Sequence, residues 1–142
     1  METRRSIRRF KPDQVPKELI DQIVTAGTWA ATSRNLQSPI ILAVTNKEVR
    51  DRLSRWNAEI MGTSRDPFYG APVVLVVLAD KSVPNRIYDG SLVMGNLMLA
   101  AHSLGLGSCW ITSRTATETT ALPLLQRASS QIWHSRTLRW IR

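Results

Sequence analysis

Residues 89–104 constrain this chain more than any other stretch. Read as a helix, they place Leu92, Val93, Met94, Leu97, Met98, Leu99, Ala100 and Ala101 around nearly the whole circumference. A helix that is apolar all round must be covered on every side. The chain has 142 residues, one domain's worth, and a lone domain of that size rarely encloses a helix completely. The sequence therefore predicts a second subunit against this helix. Gly95 costs about 1 kcal/mol relative to Ala in mid-helix, a cost that makes sense where another backbone approaches closely. Asp89 is the expected N-cap, and Gly105 the expected left-handed C-cap.

The other elements follow from spacing. Pro16 suits the first turn of a helix, and Leu19, Ile20, Ile23, Val24 and Ala26 recur at helical intervals as far as about Ala30. A polar loop, residues 32–38, leads through Pro39 into an apolar strand, residues 40–44. Residues 47–61 read as a second helix with Val49, Leu53, Trp56 and Ile60 on one face. Residues 73–79 are β-branched and do not alternate, which predicts a strand buried on both faces. Residues 107–111 read as a third strand. Residues 112–142 differ in character: ten of the thirty-one positions are Ser or Thr, and no period persists beyond Ala121, Leu122, Leu124 and Leu125. The expectation is a structured domain over 1–111 and a divergent basic Ser/Thr-rich segment over 112–142, less ordered than the rest.

Charge narrows the function classes. The net charge of +8 resides at the two ends, in Arg4, Arg5, Arg8, Arg9 and Lys11 and in Arg114, Arg127, Arg136, Arg139 and Arg142. The middle of the chain is balanced. A uniformly basic nucleic-acid surface is not built that way, and the scattered tryptophans offer no stacking platform. No apolar run approaches the ~20 residues of a membrane span. The single cysteine and the lack of an apolar leader favour a cytoplasmic compartment. Cys109, between Ser108 and Trp110 with no activating base in view, reads as a small buried hydrophobe. His102 reads as a packing residue or a cap-level hydrogen bonder rather than a ligand. Two histidines and one cysteine make no metal constellation.

Two segments carry candidate binding chemistry. Arg4, Arg5, Ser6 and Arg8 are a dense set of anion donors, since arginine forks bind phosphate oxygens bidentately; the plain alternative is a solvated basic terminus. Residues 32–37 offer hydroxyl, amide and guanidinium groups directly after a helix; the plain alternative is an ordinary polar loop.

Four segments in order resemble the nitroreductase family of flavin-dependent oxidoreductases: Arg4-Arg5-Ser6-Ile7-Arg8-Arg9-Phe10, Trp29-Ala30-Ala31-Thr32-Ser33-Arg34-Asn35-Leu36-Gln37, Phe68-Tyr69-Gly70-Ala71-Pro72-Val73-Val74, and the run from Ala100 through Gly105-Leu106-Gly107-Ser108-Cys109-Trp110. The resemblance covers about residues 3–112. It implies an α+β, three-layer fold with a central, mainly antiparallel sheet flanked by helices. It further implies a homodimer with FMN at the interface and hydride transfer from NAD(P)H through flavin N5 to a nitro compound, quinone or similar small acceptor. Arg4, Arg5, Ser6 and Arg8 would then grip the FMN phosphate. Thr32, Asn35 and Gln37 would meet the flavin ring, and Thr112 and Ser113 would lie near its N5 and O4. No catalytic side chain is implied, because the cofactor carries the chemistry.

The chain departs from the family pattern in two places. Ala31, Thr32 and Ser33 stand where the family usually has Pro-Ser-Gly, and Ser38-Pro39 replaces its Pro-Trp. Beyond Ile111 the further helix, strand and basic segment of the family are not legible, so the C-terminal part reads as incomplete or divergent. Two other readings follow: a flavin-binding but catalytically impaired relative, and a basic-tailed module for anionic polymers.

Overall fold

The computed structural model describes residues 2–111. The segment 112–142, with the domain boundary expected at its start and with Thr112 and Ser113, lies outside the described residues.

The chain folds in the order α1 (Lys17–Thr28), a short 3-10 turn (Ser33–Asn35), β1 (Ile40–Val44), α2 (Lys47–Met61), β2 (Val74–Leu78) and α3 (Arg86–Ser103). The strands pair antiparallel, with Ile40 opposite Leu78 and Val44 opposite Val74. Alternation along the strands puts Ile41, Leu75 and Val77 on the face that meets the helices. There they pack on the buried cluster of Ile23, Val93, Leu97 and Ala101.

The close fit of α1 on α3 depends on Gly27. A Cβ at this position would lie 2.7 Å from both Leu97 Cδ2 and Ile41 Cδ1, so only glycine lets the two helices and β1 meet here. Asn96 secures the contact by donating to Ala26 O at 3.0 Å. Helix α2 is bounded as its sequence requires. Asn46 Oδ1 accepts from Val49 N at 3.1 Å, and Gly62 closes the helix at φ 65°.

Three expectations need correction. Asp89 does not cap α3. The helix begins a turn earlier, with Asn85 at the N-cap, and Asp89 is buried at 3% exposure. The strand over 73–79 is not buried on both faces. Its residues are all half-buried, because among the described residues α1 and α3 cover one face of the sheet. Residues 107–111 form no extended strand here; their sheet contact is a single parallel bridge between Ser6 and Ser108. In α2 the buried residues are Arg50, Ser54 and Asn57, while Val49, Leu53, Trp56 and Ile60, which share one face, are half-buried. Polar anchoring outweighs the apolar stripe in that helix.

Candidate cofactor site

The arginine-rich segment lies against the end of α3. Ile7 N donates to Ser108 O at 3.0 Å, and Thr3 Oγ1 is 3.0 Å from His102 Nε2. Gly107 permits this approach, since a Cβ there would come within 3.0 Å of Ile7. His102 is thus a hydrogen-bonding partner of the N-terminal segment. Arg5 turns back on its own backbone, donating to Glu2 O at 2.8 Å and Arg4 O at 2.9 Å. Ser6 and Arg8 are exposed. Arg4 differs from them: its Nη1 is buried and has no hydrogen-bond partner among the described residues. A buried charged donor without an acceptor is costly, and an anion seated beside it removes that cost. The donor set therefore fits a phosphate group.

The loop after α1 is built around left-handed backbone. Arg34, Asn35 and Gln37 have φ of 53°, 54° and 49°. Asn tolerates this conformation; for the others it costs about 1–2 kcal/mol each. Thr32 holds the loop closed. Its carbonyl accepts from Asn35 N at 3.1 Å, and its Oγ1 accepts from Gln37 N at 3.1 Å. The loop is fastened to the start of α3 as well: Ser33 N donates to Asp89 Oδ1 at 2.9 Å, and Asn85 Nδ2 donates to Ser33 Oγ at 2.6 Å. The side chains of Arg34, Asn35 and Gln37 remain exposed, with amides and a guanidinium available to carbonyls and ring nitrogens.

The two halves do not converge within one chain. The arginine segment is tied to His102, and the loop is tied to Asp89. At 1.5 Å per residue these anchors are about 20 Å apart along α3. Asp89 was not legible as a site residue, although one signal was present. It is spaced by fours from Val93, Leu97 and Ala101, which puts a carboxylate on the buried stripe of the helix.

A third group of residues fixes the loop before β2. Asp66 accepts from the Arg50 guanidinium, from Ser54 Oγ at 2.6 Å, from Phe68 N at 3.0 Å and from Gly70 N at 2.7 Å. Burial opposes ionisation of Asp66, but the bonds from Ser54, Arg50, Phe68 and Gly70 outweigh it and hold the carboxyl down at about 2. Arg50 also donates to Ala71 O at 3.0 Å, and its guanidinium lies 5.5 Å from the Phe68 ring centroid. The turn so held has Tyr69 and Gly70 at φ 54° and 74°, with Ala71 N donating to Phe68 O at 3.0 Å. Cys109 is half-buried. Among the described residues no cluster of His, Cys, Asp and Glu could hold a metal ion, and no helix is long and apolar enough to cross a membrane.

The nitroreductase family model matches residues 1–65 and 59–126 of the sequence. The chain belongs to the nitroreductase family. A family relative from Methanothermobacter thermautotrophicus, with the provisional name NADH dehydrogenase/NAD(P)H nitroreductase, is 32% identical over 119 residues. The match takes in 78% of this chain and 57% of that relative, so the chain spans a little over half of its length. Among solved structures, an FMN-dependent nitroreductase from Clostridium difficile superposes with a TM-score of 0.78 at 32% identity, covering 91% of this chain and 75% of the other. A Bacteroides fragilis nitroreductase with bound FMN has a TM-score of 0.82 at 22% identity, covering 98% of this chain and 80% of the other. That second likeness is one of fold: the helices and antiparallel sheet described above are those of the α+β nitroreductase fold.

Proposed function

We propose that this nitroreductase-family chain is an FMN-dependent oxidoreductase that passes electrons from NAD(P)H to a nitro compound, quinone or similar small acceptor. The observation that carries the reading is the buried, unpartnered Nη1 of Arg4, in a segment that also presents Ser6 and Arg8 to solvent. Arg4, Arg5, Ser6 and Arg8 would hold the phosphate. Thr32, Asn35 and Gln37 would hold the ring, with Thr112 and Ser113 proposed as further ring contacts. FMN, when bound by these residues, would supply two-electron hydride-transfer chemistry. The chain's own part is to bind, orient and shield.

A homodimer is part of the proposal. Tyr88, Leu92 and Leu99 recur along one face of α3 at 71%, 51% and 38% exposure, and a Cβ on Gly95 would meet nothing within 4 Å. This apolar stripe lies opposite the buried one. A second copy crossing it antiparallel would bring one subunit's residues 32–37 toward the other's arginine segment. That arrangement supports FMN at the interface and accounts for two half-sites at opposite ends of one helix.

Titration of the purified chain with FMN, followed by quenching of flavin fluorescence and by visible absorbance, tests the reading. Saturable binding and anaerobic bleaching on addition of NADH or NADPH are the expected results. Binding without bleaching would make the chain an impaired relative, and no binding would sink the proposal.

A further inference from the structure

We infer that Asp89 is the positioning residue for the flavin-ring loop, acting through Ser33 without touching the cofactor; the inference rests on the FMN reading above. Asp89 is one of the least exposed residues of the described chain, at 3%. A carboxylate is costly to bury and stays buried only where it is hydrogen-bonded or paired. Among the described residues Oδ1 accepts from Ser33 N at 2.9 Å, and Oδ2 is buried without a partner. A carboxylate serving helix stability alone would sit exposed in the first turn, where the N-terminal end of the helix dipole favours it at little desolvation cost. Here it is turned inward, onto the residue that precedes the left-handed pair Arg34 and Asn35.

Ser33 is gripped twice, because Asn85 Nδ2 donates to its hydroxyl at 2.6 Å. The two grips are independent: one takes the backbone N–H, the other the side chain. Both come from the start of α3, whose following turns are packed into the core through Val93 and Leu97. The loop conformation is strained and its functional side chains are exposed, so it does not hold itself in place by burial. Strain of this kind persists where the surroundings over-determine it. Ser33 stands where the family pattern has glycine, and its hydroxyl is what gives Asn85 a partner. The replacement therefore adds a fastening that glycine could not supply.

The inference separates the two ends of the cofactor. Loss of the Asp89 bond should weaken recognition of the ring, which FMN and riboflavin share. It should leave recognition of the phosphate alone. The full chain and its variants would be titrated with FMN and with riboflavin by fluorescence quenching, and the visible spectrum of each bound flavin recorded. Asp89→Ala is expected to weaken both flavins equally, by about tenfold, the scale of a lost hydrogen bond to a charged group. Asp89→Asn keeps an acceptor for Ser33 N and is expected to restore most of the affinity and the wild-type spectrum. Arg4→Ala, by contrast, should weaken FMN and leave riboflavin unchanged.

Asn85 makes no side-chain cap bond to α3, so Asn85→Ala tests the second grip without disturbing the helix. It should weaken both flavins about threefold, as expected for a neutral hydrogen bond, and it answers the question if Asp89→Ala fails to fold. Wild-type affinity for riboflavin in both Asp89→Ala and Asn85→Ala would overturn the inference, as would a loss confined to FMN. If the wild-type chain binds neither flavin, the FMN reading itself has failed, and that result is distinct from either of these.

Discussion

At the residue scale, charge placement separates binding from stability. Arg4 has a buried donor with no partner among the described residues, so its removal costs the fold little and the site much. Arg4→Ala is expected to weaken FMN binding by about 1.5–3 kcal/mol, the range for hydrogen bonds to charged groups, while urea denaturation of the flavin-free protein stays near wild type. Asp66 is the opposite case. Its carboxylate receives Arg50, Ser54, Phe68 and Gly70, and Arg50 is 8% exposed. Asp66→Ala takes one acceptor from that guanidinium, which keeps Asp51 and Ala71 O, and removes the acceptor of Ser54, Phe68 N and Gly70 N; it should destabilise the fold by about 2–3 kcal/mol, read as a shift of the urea midpoint. The pH dependence has a definite sign. The folded carboxyl titrates at about 2, below its ordinary value of 3.8, so its contribution is fully present above about pH 5. It should fade as pH falls through 4 toward 2. Denaturation midpoints of wild type and Asp66→Ala should therefore converge across that window, and parallel curves would show that Asp66 is not the group responsible.

At the scale of elements, two glycines in the helices serve different purposes. Gly27 lies in the closest contact between α1, β1 and α3, and Gly27→Val should cost about 2–3 kcal/mol in unfolding free energy through overpacking. Gly95 meets nothing within 4 Å, so within a single chain Gly95→Ala should be stabilising, by about 0.5–1 kcal/mol of helix propensity. The sequence marked Gly95 as costly and passed over Gly27, because periodicity shows which face of a helix is apolar but not which partner touches it. The same limit explains the other differences. The hydrophobic spacing placed α1, α2 and both strands within a few residues. It could not say that Arg50 and Ser54 are buried in α2, since both bond Asp66, which returns from sixteen and twelve residues away. Nor could it show Asp89 turned toward Ser33, fifty-six positions earlier in the chain. Motif order offered Arg4, Thr32, Asn35 and Gln37 as candidate site residues. Their division between the two ends of α3 was not legible, because it depends on tertiary placement.

At the scale of the whole molecule, the exposed stripe of α3 and the separated half-sites make one joint prediction. If a second copy covers Tyr88, Leu92, Gly95 and Leu99, assembly and cofactor binding stand or fall together. Leu92 is 51% exposed in the single chain, so Leu92→Glu introduces no buried charge into the monomer and should leave its fold intact by far-ultraviolet circular dichroism. In an apolar interface the same carboxylate is desolvated without a partner, at a cost of several kcal/mol. Light scattering should report a dimer for the wild type at micromolar concentration and a monomer for Leu92→Glu. The monomer should also lose FMN affinity, although Leu92 belongs to neither half-site. A folded monomer that binds FMN as tightly as the wild type would show that one chain completes the site by itself. The two ends of α3 would then have to be bridged by residues of the same subunit.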